Sequence, residues 1–314
     1  SSTVASRWND TYKCIDRVNV VLKHINDVKY SSEAAKSQYE AEVRFARAYC
    51  YYLLVTSFGD VPLVLSKLES LDAVNAANVR VSKDKVYQAI FDDCKWVTES
   101  ALPEQQNGVN VGRASKAAAY TLWGKALLQM ATDEDFASQK TALCADAKTA
   151  LNAAWGMKTF ADFTTLSIHE AFDVATQATA QENIFQIPYL GESASTTSLC
   201  SMYRPTDIDD PTKEINGKSA DGSFFMPLNT TLRIWDEAGD KRFDEMMGHG
   251  KHKGLEVYYP LKFKDLSETG YYSCDLPILR YADVALMLAE AEYHGGNASA
   301  ALPWLNMVRK RAGL

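Results

Sequence analysis

The sequence predicts a mostly α-helical protein: tetratricopeptide-like helix pairs form a scaffold that is interrupted by one long loop-rich insertion. Three observations carry that expectation. Apolar residues recur at helical spacing through the first half of the chain and again near its end. Small residues fall on some of those stripes, where a second helix would have to come close. From Phe160 to roughly Cys274 the periodicity fades and polar punctuation takes over. The 314 residues therefore divide, as one domain, into a helical-repeat scaffold at 1–157 and 276–314 and an irregular, ligand-side region at 158–275.

The elements follow in order. Tyr12 to Ile25 carries Ile15, Val18, Leu22 and Ile25 on one helix face. In the next run, which includes RFARAYCYYLLVTSFGDVPLV at Arg44 to Val64 and begins before it, the residues Tyr39, Val43, Ala46, Cys50, Leu53 and Ser57 make one stripe. Glu40, Arg44 and Arg47 lie on another, with Glu40 one turn ahead of Arg44 for an ion pair. Gly59 can take the left-handed conformation that ends a helix, and Pro62 prevents resumption. Ser82 offers an N-cap to a helix bearing Val86, Ile90, Cys94, Val97 and Ala101, which Pro103 stops. Arg113 to Ala131 has a small-residue stripe (Ala117, Thr121, Gly124, Leu128, Ala131), and Ala147, Leu151 and Ala154 continue the pattern to Gly156. One short extended run stands out in the irregular region, Ile184 to Ile187. Helix is expected again at Ile278 to Tyr293 and near Leu302 to Arg311. In this last pair Ala289, Gly296, Ala301, Leu305 and Val308 fit a tetratricopeptide hairpin, with Pro303 expected near the start of its helix or at a kink.

Composition narrows the class. A hydrophobic share of 46% with 23% charged residues fits a globular chain and excludes a disordered one. A net charge of −7 argues against a nucleic-acid partner. The six cysteines (Cys14, Cys50, Cys94, Cys144, Cys200, Cys274) form no CxxC pair, so neither a zinc site nor a redox motif is supported. No run approaches the ~18 apolar residues of a bilayer span, and the opening Ser1-Ser2-Thr3-Val4 carries no signal peptide.

Several stretches, in order along the chain, resemble one family. Glu42-Val43-Arg44-Phe45-Ala46-Arg47-Ala48-Tyr49-Cys50-Tyr51-Tyr52 with Phe58-Gly59-Asp60-Val61-Pro62-Leu63-Val64 is similar to the signature of SusD/RagB-type proteins, nutrient-binding lipoproteins on the outer surface of Gram-negative bacteria. Gly112-Arg113-Ala114-Ser115-Lys116-Ala117-Ala118-Ala119 resembles their G-R-A-x-K-x-A-A helix start. Arg280-Tyr281-Ala282-Asp283-Val284-Ala285-Leu286-Met287-Leu288-Ala289-Glu290-Ala291 resembles R-x-A-D-V-x-L-x-x-A-E-A, and Asn306-Met307-Val308-Arg309-Lys310-Arg311-Ala312-Gly313 resembles N-x-V-R-x-R-A-G. The family's lipobox cysteine and its E-R-R-x-E-L-A-F-E-G-like segment have no counterpart here, so the chain is expected to be an internal piece.

The resemblance implies a surface protein, lipid-anchored to the outer membrane through an N-terminal anchor not present in this chain, that works in polysaccharide utilisation. Its helix pairs would dock a TonB-dependent, SusC-like transporter, and its loop-rich side would bind glycan without catalysis. On that view the aromatics Tyr49, Tyr51 and Tyr52 are scaffold.

Sugar recognition needs flat apolar faces for the C–H side of a pyranose, framed by donors and acceptors. Tyr203 and Arg204 with Asp207, Tyr271 and Tyr272 beside Gly270, and Trp8 with Asn9 are the candidate ligand contacts; Tyr258 and Tyr259 before Pro260 are further loop aromatics. The plainer reading of each is a ring that anchors its own loop. Trp96, Trp123, Trp235 and Trp304 are expected in the core. Rival functions are a peptide-binding adaptor and a glycoside hydrolase, the latter needing two facing carboxylates such as those among Asp207, Asp209 and Asp210. His249 and His252 lack metal-site spacing, and no P-loop or GxSxG elbow is present, so no cofactor is expected beyond a loop-bound structural cation.

Overall fold

The computed structural model describes residues 2–202, 208–209, 226–227, 239–252, 254–265 and 270–314. The chain forms two compact units: residues 1–106, 113–157 and 283–302 in the first, and 107–112, 158–282 and 303–314 in the second.

The first unit is a stack of antiparallel helices: α1 (Ser2–His24), α2 (Glu33–Phe58), α3 (Leu71–Ala77), α4 (Lys83–Glu99), α5 (Lys116–Ala131) and α6 (Lys140–Gly156). Most of α9 (Tyr281–His294) and the first turn of α10 (Ala298–Arg311) complete it. Ser32 starts α2 by accepting the Ala35 N–H on its side chain. Gly59 (φ 68°) ends that helix by donating its N–H to the Val55 carbonyl. The buried residues of α2 are Ala41, Phe45, Arg47, Ala48, Cys50, Tyr51, Leu54 and Val55. They are offset from the expected stripe, of which Cys50 alone is among them and whose ends Tyr39 and Ser57 are exposed. The offset has an electrostatic cause. Arg47 lies on the face that looks polar in sequence yet is buried, because Asp93 of α4 accepts from its Nε at 2.7 Å and its Nη2 at 2.8 Å. Asn19 and the Leu65 carbonyl take its Nη1, both at 2.9 Å. A charge so satisfied can be packed away where an unpaired one could not.

The tyrosine-rich helix is scaffolding at Tyr51, which is fully buried. Its hydroxyl donates to the Val64 carbonyl (2.9 Å) and accepts from the Val64 N–H (2.7 Å), which fixes the chain as it leaves the helix. Tyr49 and Tyr52 are half-buried. Val61–Pro62 (β1) then pairs antiparallel with Arg80–Val81 (β2).

The small stripe of α5 does what it predicts. A Cβ on Gly124 would lie 2.5 Å from a Leu151 side-chain carbon, so α5 and α6 touch more closely than any larger residue permits. Ion pairs Lys125–Asp283 (2.7 Å) and Lys148–Glu292 (3.3 Å) tie these helices to α9. In α10 the helix runs through Pro303, which lies in its second turn.

The second unit is built on short strands. β3 (Asn183–Ile187) pairs antiparallel with β8 (Leu276–Arg280). The helix expected from Ile278 therefore begins only at Tyr281: apolar Ile278 and Leu279 are spent on the strand pair, and the Tyr281 N–H bonds the Glu182 carbonyl. A four-stranded sheet, in the order β4 (Ile208–Asp209), β6 (Met247–His252), β7 (Leu255–Pro260), β5 (Met226–Pro227), also departs from expectation. Gly248 and Gly250 blank alternate positions of β6, so it carries no readable period of two. α7 (Leu199–Met202) and α8 (Lys241–Met246) are short.

Buried charge organises this unit as well. Glu182, 2% exposed, accepts from Arg280 (2.6 Å) and Arg311 (2.7 Å), while the Arg311 guanidinium lies 4.4 Å from the Phe163 ring centre. Trp96, Trp123 and Trp304 are half-buried rather than core. Large indoles rarely lose all contact with water, and the Trp96 ring is covered by Arg44 at 4.8 Å. Trp235 lies outside the described residues.

Candidate functional site

Around Tyr271 the second unit holds its backbone firmly. The Tyr272 N–H donates to Thr196 Oγ1 (2.8 Å), and the Thr197 N–H donates to the Tyr272 carbonyl (3.2 Å). Next along, the Ser273 N–H donates to Asp265 Oδ2 (2.7 Å), and Gln177 Nε2 donates to the Ser273 carbonyl (2.9 Å). Asp275 accepts from the Tyr189 N–H (3.0 Å) and from Gln186 Nε2 (2.6 Å). Burial pushes the Asp275 carboxyl above the usual carboxylate range, against the pull of those two donors.

The two neighbouring tyrosines consequently part company. Tyr272 is buried with Cys200 and Cys274, with Phe263 packed against them. Tyr271 is 43% exposed. Strand-like alternation aims one ring inward as an anchor and leaves the other at the surface. An exposed ring on a fixed loop can stack on the C–H face of a sugar without paying to be ordered.

Trp8 and Asn9 belong to the first unit. Trp8 is half-buried, 5.0 Å from the Tyr12 ring and 5.0 Å edge-on from Phe58, with the Arg80 guanidinium 5.8 Å from its centre. The Tyr12 hydroxyl donates to the Pro62 carbonyl at 2.7 Å, so this cluster pins α1 to the turn after α2. Asn9 is exposed beside it. Tyr203, Arg204 and Asp207, with Asp210, lie outside the described residues.

The other loop candidates are strand residues. Tyr259 is buried against Gly248, and Tyr258 is stacked on His249 at 4.6 Å. His249 Nε2 lies 2.8 Å from Glu256, which gives that histidine a partner across the hairpin. Among the described residues no group of three His, Cys, Asp or Glu could hold a metal ion, and no helix is long and apolar enough to cross a membrane.

Sequence reasoning passed over one concavity. Val21, Ile25, Val28, Tyr30, Tyr39 and Glu42 line a groove of about 600 Å³ in the first unit. Tyr39 looked like one more member of a helix stripe. The signal available was a second tyrosine, Tyr30, just before the Ser31-Ser32 turn and nine residues ahead of Tyr39.

Two family models match the chain. Residues 1–128 match a SusD-like model described as starch-binding, associating with the outer membrane, and residues 236–314 match the SusD family model. SusD-like protein P2 of Formosa agariphila is 27% identical over 99% of this chain, which spans 63% of that relative's length. SusD-like protein P25 of the same organism is 26% identical, with 62% of its length spanned. A SusD superfamily protein from Parabacteroides distasonis has a like fold: TM-score 0.79, 23% identity, covering all of this chain and 68% of that one. So have a laminarin-binding SusD-like protein (TM-score 0.76, 23% identity, 98% and 70% covered) and a surface glycan-binding protein from Bacteroides thetaiotaomicron in complex with laminarihexaose (0.76, 19%, 98% and 68%).

Proposed function

From the premise that this chain belongs to the SusD/RagB family, we propose that it captures oligosaccharide at the cell surface and hands it to a TonB-dependent, SusC-like transporter. The observation that carries the reading is the pair of family-model matches at the two ends of the chain, one of them described as starch-binding. The protein is non-catalytic in this reading: it binds sugar through aromatic faces and a polar rim, and it activates no nucleophile. Tyr271, next to the pinned residues Tyr272 and Ser273, is the proposed stacking ring; Tyr203, Arg204 and Asp207 are proposed as ligand contacts on their sequence alone. The helix pairs of the scaffold serve as the transporter-docking side, and a lipid anchor holds the protein to the outer membrane.

A peptide-binding adaptor would need a groove lined by Asn and Lys that could bond an extended backbone. The groove on the helical unit is walled instead by tyrosine and valine with a single lysine, Lys29, which favours sugar.

Isothermal titration against maltohexaose, laminarihexaose, cellohexaose and xylohexaose tests the reading, with chromatography of the same mixtures for products. Binding of at least one oligosaccharide without cleavage is the expected result. Cleavage would refute the non-catalytic assignment, and heat-silent titrations across the panel would refute glycan capture.

A further inference from the structure

We propose that the groove between α1 and α2 is a second pyranose subsite, in which a sugar ring stacks on Tyr39 while its hydroxyls bond Glu42 and Ser31. The inference rests on the glycan-capture reading and adds a sugar contact at Tyr39, a residue that reading does not use.

The groove opens where α1 ends, where the connecting turn passes Tyr30, and along the first half of α2. Its volume, about 600 Å³, falls inside the ~300–1,000 Å³ typical of ligand pockets. Three of its walls are unusual for a helix pair in water: Val28 is 55% exposed, Tyr39 51% and Val21 41%. Singly such residues need no explanation; gathered into one concavity they mark a surface that something covers. Ile25, which is buried, forms the floor.

The aromatic geometry suits a sugar. The Tyr30 and Tyr39 rings lie 5.9 Å apart with their planes tilted by 36°, so each props the other and Tyr39 keeps area open to solvent. The negative face of a phenol ring attracts the polarised C–H groups on one side of a pyranose. Because the two rings brace each other, little rotamer freedom remains to be lost on binding.

The rim is polar and held still. Glu42 Oε1 accepts from Arg113 Nε at 2.8 Å and Oε2 from Arg113 Nη2 at 2.9 Å. A carboxylate offers about four lone-pair sites, so this fork leaves acceptor capacity for vicinal sugar hydroxyls while fixing where the oxygens point. Arg113 acts through Glu42 and is a positioning residue. Ser31 and Lys29 supply donors on the turn side. A fatty chain would want a dry, enclosed tunnel rather than this open, charged rim.

Titrating the same four oligosaccharides into Tyr39→Ala, Tyr39→Phe, Tyr30→Ala and Tyr271→Ala proteins tests the subsite. Tyr39→Ala is expected to weaken the best wild-type oligosaccharide by about tenfold, and Tyr39→Phe, which keeps the ring, by less than about threefold. Tyr39 is largely exposed, so an unchanged thermal melt will show that the variant is folded. Affinities unchanged within about twofold in both Tyr39→Ala and Tyr30→Ala would overturn the subsite and leave glycan capture standing. Wild-type protein that binds none of the four would overturn both.

Discussion

At Tyr51 one hydroxyl serves both polar groups of Val64, and its loss illustrates what a buried polar atom is worth. Tyr51→Phe strands the Val64 N–H, while the Val64 carbonyl keeps its bond from Asn19 Nδ2 (2.9 Å); urea unfolding should show a loss of roughly 1–3 kcal/mol. Glu182 carries more. Replacing it by Ala leaves Arg311, itself 8% exposed, without a counter-charge, and a destabilisation of roughly 3–5 kcal/mol is expected in the same measurement. Asp240 sets an acid limit. It accepts the Arg242 N–H (3.0 Å) and forks with the Arg242 side chain (2.6 Å), and that pairing holds its carboxyl below the usual range. A carboxyl whose pKa is lower folded than unfolded adds stability above the unfolded value and loses it as pH falls through the folded one. Melting temperature should therefore drop as pH goes below about 4, and Asp240→Asn should flatten that descent.

Among the elements, the α5–α6 pair depends on one missing side chain. Gly124→Ala gains helix propensity worth about 0.8–1 kcal/mol, but its Cβ would sit 2.5 Å from Leu151, whose side chain is fully buried. Overpacking typically costs about 1–3 kcal/mol, so the net expectation is a lower melting temperature. If Gly124→Ala melts higher, the close approach is not what holds glycine there. In α2 the balance runs the other way: the helix buries Arg47 on a face that hydrophobicity alone would turn to water, because α4 brings Asp93 to meet it. The start of α9 is likewise decided by a neighbour, since β3 claims residues up to Arg280 for the strand pair.

For the whole molecule, the glycan reading predicts linkage between ligand and stability. A ligand that binds only the folded state stabilises it by about 2.7 kcal/mol at a concentration one hundred times its Kd. Thermal melts with the oligosaccharide that titrates most tightly should rise accordingly, and Tyr271→Ala should reduce the rise at fixed ligand without changing the melt of the free protein. Equal shifts in wild type and Tyr271→Ala would remove that ring from the site.

The helical frame was legible in the residues themselves: the stripes of α1, α4 and α5, the start of α4 after Ser82, the stop at Gly59 and Pro62 and the close approach at Gly124 all follow from local sequence. What tertiary structure alone decided was which polar groups could be hidden and which aromatics stayed out. Arg47 is buried because a carboxylate 46 residues away meets it, β6 is invisible to periodicity because glycine has no side chain to alternate, and Tyr271 faces outward only because Tyr272 is locked inward. Periodicity reports the apolar side of one element; pairing between distant segments is settled by packing, where a charge or a ring finds its partner.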